Sequence, residues 1–194
     1  MGAVFRPSTA GREVTMWMLK LSPGFKERLW SHLLPEAVEG KRVLEQAAFL
    51  YCKPTVEEGA FEVVDSDFMA AADFAAQYPD YLELAGTARA RVIKRAHLLD
   101  AFIAEVHSHP STRPAAFSWS DRSGLRETVP HMRWRLKARP YLALVVARTS
   151  FDALLWAGDD EEPHAFRGID VAGVLHAPTN LSVAEWHSRE TWDD

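Results

Sequence analysis

The stretch of this chain richest in reactive side chains is EVHSHPSTRPAAFSWSD, residues 105–121. Alternate side chains of a β-strand project from one face, so His107 and His109 at the C-terminal end of a strand bring two imidazoles to one point and can share a metal ion. Pro110 stops the strand, a loop follows over 111–117, and Ser118-Trp-Ser-Asp121 opens a helix with a carboxylate one turn inside it. Asp121 can complete a His2Asp donor set. Three protein ligands leave the fourth tetrahedral position to water, which is the arrangement of catalytic zinc, because a closed four-ligand site activates no nucleophile. Zinc brings the pKa of bound water to about 7, so hydroxide becomes available near neutral pH. An H-x-H alone arises by chance about 0.3 times in a chain of this composition, whereas H-x-H-P followed by S-x-x-D at a suitable distance is expected only about 3 times in 10,000. Each part also has an ordinary structural use: Ser118 and Asp121 make an N-terminal capping pair, and a histidine pair at a strand end can be a polar rim. Order and spacing together favour the metal.

Placing these side chains requires a strand over 101–109, AFIAEVHSH, and a helix that starts at Ser118 and ends by Pro140. Upstream, VLEQAAFLY at 43–51 is nearly continuous apolar sequence interrupted by Glu45 and Gln46, the pattern of a strand buried on both faces. A buried acid there requires a reason. The clearest strand is YLALVVA at 141–147, with 151–156 returning as its hairpin partner. Ser22-Pro-Gly opens a helix with Pro23 in its first turn and Phe25, Leu29 and Leu33 on one apolar stripe, ending between 35 and 40. Further expectations are an edge strand at 14–21, a strand at 61–64, helical patches over 66–84 broken by Pro79, and a helix capped by Thr87 whose Val92, Ala96 and Leu99 share a face. An acidic loop spans 158–164, and a strand follows near 166–171. Residues 1–13 read as an irregular lead-in and 180–194 as a polar tail apart from Trp186 and Trp192. Helices interleaved with strands give one domain, 1–194, of the α/β or α+β class with a mixed sheet.

Composition narrows the partners. With 22 basic against 27 acidic side chains, the formal charge of -5 provides no net attraction to nucleic acid or to an anionic membrane. No apolar run approaches the roughly 20 residues that span a bilayer, and the first residues contain no signal-peptide core, so a cytoplasmic location is expected. The single cysteine, Cys52, has no internal disulfide partner and reads as a buried structural thiol in a reducing compartment.

The element HSHP-x7-SWSD resembles the H-x-H-P…S-x-x-D signature of the JAMM (JAB1/MPN/Mov34) zinc metallopeptidases. That signature includes an upstream glutamate on a buried strand, and Glu45 in LEQAAFL fits it, with Ala48 where a glycine is usual and a His109 to Ser118 gap one residue longer than the commonest form. The resemblance implies an MPN/JAB fold, zinc bound by His107, His109 and Asp121, Glu45 as general base, and Ser118 stabilising the oxyanion. It also implies a substrate: the C-terminus of ubiquitin or a ubiquitin-like protein, cleaved by a compact prokaryotic-type member, for which an antiphage conjugation system is one setting. Processing of a sulfur-carrier protein, a non-catalytic MPN scaffold and a differently folded metal-dependent hydrolase of small molecules are the alternatives. The chemistry suits the residues. A carboxylate on an apolar strand holds protons more tightly, and a hydroxyl at a helix N-terminus lies beside free N–H groups that favour negative charge.

Three other features are notable. Glu39 is a second candidate base, in a loop. Trp119 inside S-x-x-D can pack on a peptide or within the loop. The basic run RWRLKAR at 133–139 suits a helix C-terminus or an acidic partner. His131, His164, His176 and His187 lack ligand spacing.

Overall fold

The computed structural model describes residues 17–37, 39 and 42–188, so the expectations for residues 1–13, for 14–16 of the first strand and for 189–194 of the tail, Trp192 included, lie outside the described residues. The fold is α+β, as expected. An eight-stranded mixed sheet carries four helices among the described residues. In chain order the elements are β1 (Met18–Leu21), α1 (Pro23–Leu33), β2 (Ala47–Pro54), β3 (Ala60–Phe68), β4 (Phe74–Gln77), β5 (Leu82–Leu84) and α2 (Gly86–Leu99). Then come β6 (Phe102–Ser108), α3 (Trp119–Arg135), β7 (Tyr141–Val146), β8 (Phe151–Trp156), β9 (Gly168–Val171), β10 (Val174–His176) and α4 (Leu181–Ser188). The sheet order is β10-β9-β1-β3-β2-β6-β7-β8, and β4 and β5 form a separate hairpin.

The centre of the sheet is apolar on both faces because β2, β6 and β7 are covered on both. Phe49, Tyr51, Ile103, Tyr141, Ala143 and Val145 point into one core beneath α2, α3 and α4. Leu50, Cys52, Ala104, Val106, Leu142 and Leu144 point into a second, closed by Leu29 and Leu33 of α1. That two-sided burial is why 43–51 and 141–147 read as continuous rather than alternating apolar sequence. Ser22 caps α1, its side-chain oxygen accepting from the Phe25 N–H, with Pro23 in the first turn.

Several expectations are corrected. The first strand is an interior one: β1 is parallel to β3 on one side and to β9 on the other. Its second neighbour arrives from about 150 residues downstream by numbering, a pairing that no local pattern encodes. Residues 66–84 are not helical. β3 continues to Phe68, a single 3-10 turn covers Ala71–Asp73, and β4 and β5 pair around Pro79. Thr87 does not cap α2; the cap position is Ala85, which makes no side-chain cap bond. The second strand begins at Ala47 rather than 43 and runs to Pro54. The segment 181–188 of the expected polar tail is a helix, held down by Trp186 and Ser182, both buried. Its two buried anchors are too few for a visible apolar stripe.

Candidate metal centre

Strand β6 delivers the histidines. It pairs with β2 and β7, placing His107 opposite Ala47 and Val145. The His109 N–H donates to the Val146 carbonyl (2.8 Å), so the extended geometry persists one residue past the strand and both rings reach the α3 face. Between them Ser108 points the other way and is buried; its Oγ accepts from the Gln46 N–H (3.0 Å) while its own N–H donates to the Gln46 carbonyl (3.0 Å). The loop 111–117 is pinned at both ends of its last turn. The Ala115 N–H donates to Ser150 Oγ, Thr179 Oγ1 donates to the Ala115 carbonyl, and the Phe117 N–H donates to Ser182 Oγ, all between 2.7 and 2.8 Å. Helix α3 then starts with a full capping box: Ser118 Oγ accepts from the Asp121 N–H (3.1 Å) and the Ser118 N–H donates to Asp121 Oδ2 (2.7 Å). The capping pair and the candidate ligand are one and the same device, since the cap fixes the carboxylate that faces the imidazoles.

Three donor atoms converge. His107 Nε2 and His109 Nε2 are 3.3 Å apart, Asp121 Oδ2 is 3.7 Å from the first and 3.2 Å from the second. Metal–ligand bonds of 2.0–2.1 Å at tetrahedral angles put ligand atoms about 3.3 Å from one another, so this triangle fits one ion with little movement. Among the described residues, His107, His109 and Asp121 form the group able to hold a metal ion. Two imidazoles and one carboxylate suit a borderline divalent cation.

Glu45 stands beside the triangle, Oε1 3.6 Å from His109 Nε2, and is only 4% exposed. It lies just ahead of β2 rather than on it, held by two backbone contacts. Its N–H donates to the Tyr78 carbonyl (3.1 Å) and its carbonyl accepts from Gln77 Nε2 (2.7 Å). The β4–β5 hairpin, absent from the sequence-based expectations, therefore positions the acid. Burial pushes the Glu45 carboxyl up to about 7, with His107 and His109 partly offsetting the shift. Burial also disfavours the Asp121 carboxylate, but hydrogen bonds with His107, His109 and Ser118 outweigh it and hold Asp121 well below the usual range. For His107 burial works against the charged ring, and Asp121, Glu45 and Glu105 raise it nonetheless.

All five expected site residues thus meet. Ser118 is exposed, and its hydroxyl hydrogen is free to donate outward because the oxygen serves as acceptor in the cap. Trp119, next to it, is 64% exposed. Glu39 is exposed in a turn, with no contact to the cluster among the described residues. Cys52 is fully buried on the opposite face of the sheet, and burial pushes its thiol far up, which fits a structural role. The acidic loop at 158–164 binds Arg133, about 18 Å along α3 from Asp121, so it stands away from the site. One contributor escaped the sequence reading: Glu105, two residues before His107 on the same face, accepts from the Tyr141 hydroxyl, and burial raises its carboxyl. The signal was present in the polar alternation Glu105, His107, His109 along an otherwise apolar strand.

The chain matches no protein-family model and no curated protein, so its chemistry is read from the site itself.

Proposed function

We propose that this chain is a zinc-dependent peptidase of the JAMM type that hydrolyses an amide or isopeptide bond at the C-terminus of ubiquitin or a ubiquitin-like protein. The observation that carries the reading is the triangle of His107 Nε2, His109 Nε2 and Asp121 Oδ2 with the buried Glu45 carboxylate beside it. Those three atoms would hold the ion, and bound zinc would supply Lewis-acid activation of water and of the scissile carbonyl. Glu45 Oε1 takes a proton from the attacking water as its oxygen bonds to the carbonyl carbon. It then passes that proton to the departing amine as the C–N bond breaks. Ser118 donates its hydroxyl hydrogen to the carbonyl oxygen as negative charge grows there, at the positive end of α3. Among the described residues no third strand pairs with the β4–β5 hairpin that holds Glu45, and an extended C-terminal tail can add to such a strand by main-chain hydrogen bonds. That supports a flexible tail over a folded surface as the substrate.

The test is zinc content by elemental analysis together with cleavage of a panel of ubiquitin-like C-terminal fusions by the native protein, Glu45→Gln and His107→Ala. About one zinc per chain is expected, with Glu45→Gln retaining metal but losing about 10²–10⁴ in turnover, and His107→Ala losing both. A folded protein that takes up no zinc from a zinc-containing buffer would overturn the reading in favour of a non-catalytic scaffold. Zinc with cleavage only of a sulfur-carrier fusion, or only of small amides, would move the substrate assignment.

A further inference from the structure

The exposed side of α3 is flanked by two features of opposite charge. On one flank, α2 and α3 enclose a groove of about 690 Å³ lined by the basic Arg89, Lys94 and Arg135 and by the apolar Ile93 and Leu98. No carboxylate lines it, although the chain as a whole carries a charge of -5. Lys94 and Arg135 form no ion pair among the described residues, and Leu98 is 69% exposed. On the other flank, Asp159, Asp160, Glu161 and Glu162 are all exposed in a loop tied to α3 by Arg133, which donates to the carbonyls of Gly158 and Asp160.

Helical geometry fixes the relation between the two. Successive residues turn by about 100°, so Arg133 faces the acidic loop, Trp134 faces outward a quarter-turn on, and Arg135 faces the groove a further quarter-turn on. Along the axis Arg133, Trp134 and Arg135 lie within about 3 Å of one another, so the loop's anchor and the Arg135 end of the groove stand at one height. Trp134 is 72% exposed, with the Arg135 guanidinium 5.2 Å from its ring centre. A two-fold axis parallel to α3 and passing in front of Trp134 brings the groove of one copy opposite the acidic loop of the other, and the reverse contact follows by symmetry. A self-complementary patch of this kind, with an aromatic side chain at its centre and opposite charges at its flanks, is what an isologous interface requires.

We propose that two copies of this chain form a two-fold dimer through α3, the basic groove of each receiving the acidic loop 158–164 of the other around paired Trp134 side chains. The metal centre lies about 20 Å along α3 from Trp134, so both sites stay open in the dimer.

The test is sedimentation velocity of the full chain over a range of concentrations, with charge reversal and mixing. At about 50 mM salt the native protein is expected to dimerise, with dissociation at least tenfold stronger at about 500 mM as the charges are screened. The groove variant Lys94→Glu/Arg135→Glu and the loop variant Asp159→Lys/Glu161→Lys each place like charges in contact and are expected to be monomers. Mixed one to one, they are expected to form a heterodimer, because each then presents the complement of the other. Folding of each variant is checked by far-UV circular dichroism and by zinc uptake, which neither variant should alter. A native protein that stays monomeric at low salt, a dimer indifferent to either reversal, or variants that fail to pair on mixing would overturn the proposal.

Discussion

At Glu45 two effects oppose each other. Removal from water favours the neutral acid, the neighbouring histidines favour the carboxylate, and burial prevails, raising the group from an ordinary 4.5 to about 7. A raised acid contributes stability that is complete below its unfolded pKa and is lost as pH rises through the folded one. His107 is raised as well and acts in the same direction, whereas the depressed Asp121 contributes a constant amount above the ordinary carboxylate range. The metal-free protein should therefore lose stability between about pH 5 and pH 8, with up to about 3 kcal/mol attributable to Glu45. Urea unfolding of metal-free native protein and Glu45→Gln at the two pH values checks this. The variant should show a distinctly smaller loss, and an equal loss in both proteins would mean that the carboxylate is solvated and ionised throughout. The same group illustrates why a buried acid beside an apolar strand merits a chemical explanation: ionising it away from water costs stability at neutral pH even with His109 nearby, and a proton acceptor at the proposed site would account for its presence.

At the scale of elements, the site depends on a clasp between the 42–46 segment and β6. Ser108 faces away from the donor triangle yet binds Gln46 by both its hydroxyl and its backbone, and Gln77 of β4 grips the Glu45 carbonyl from the other side. Ser108→Ala deletes one acceptor and leaves a half-buried N–H without it, a loss of about 1–3 kcal/mol. The expected result is a lowered melting temperature, retained zinc and a fall in kcat larger than any change in KM, since Glu45 loses its position while the donor triangle does not. Unchanged kcat at full zinc occupancy would show that the hairpin alone suffices to hold Glu45. The capping box at α3 works similarly, because one hydrogen-bond pair both starts a helix and aims the Asp121 carboxylate at the histidines.

Across the whole molecule the donor triangle sits at the edge of the core beneath α2, α3 and α4, with His107 against Phe117, and each sheet face has its own apolar cluster. The fold is consequently expected to survive metal removal. A chelator should lower the melting temperature without abolishing the cooperative transition, and readdition of zinc should restore it, the gain growing with free zinc as RT ln(1 + [L]/Kd). Loss of the far-UV signal on chelation would indicate a structural rather than catalytic metal. No described helix is long and apolar enough to cross a membrane.

Much of the centre was legible in the sequence because its geometry is local. Strand alternation brings His107 and His109 together, a helix N-terminus one loop later supplies Ser118 and Asp121, and both rules act within 105–121. The strands at 141–147 and 151–156 were legible for a related reason: two-sided burial demands continuous apolar sequence, and a short connection forces the hairpin. Tertiary structure alone decided the rest. The hairpin at 74–84 is short and only partly buried, so its weak pattern gave no period, and its pairing is stabilised by contact with Glu45 and with the core beneath α2, α3 and α4. β1 became an interior strand only when β9 arrived from the far end of the chain, and 181–188 became helical by docking Trp186 against Trp156. The approach of Glu45 to His109, across 64 residues by numbering, depends on those long-range contacts, which no local spacing can specify.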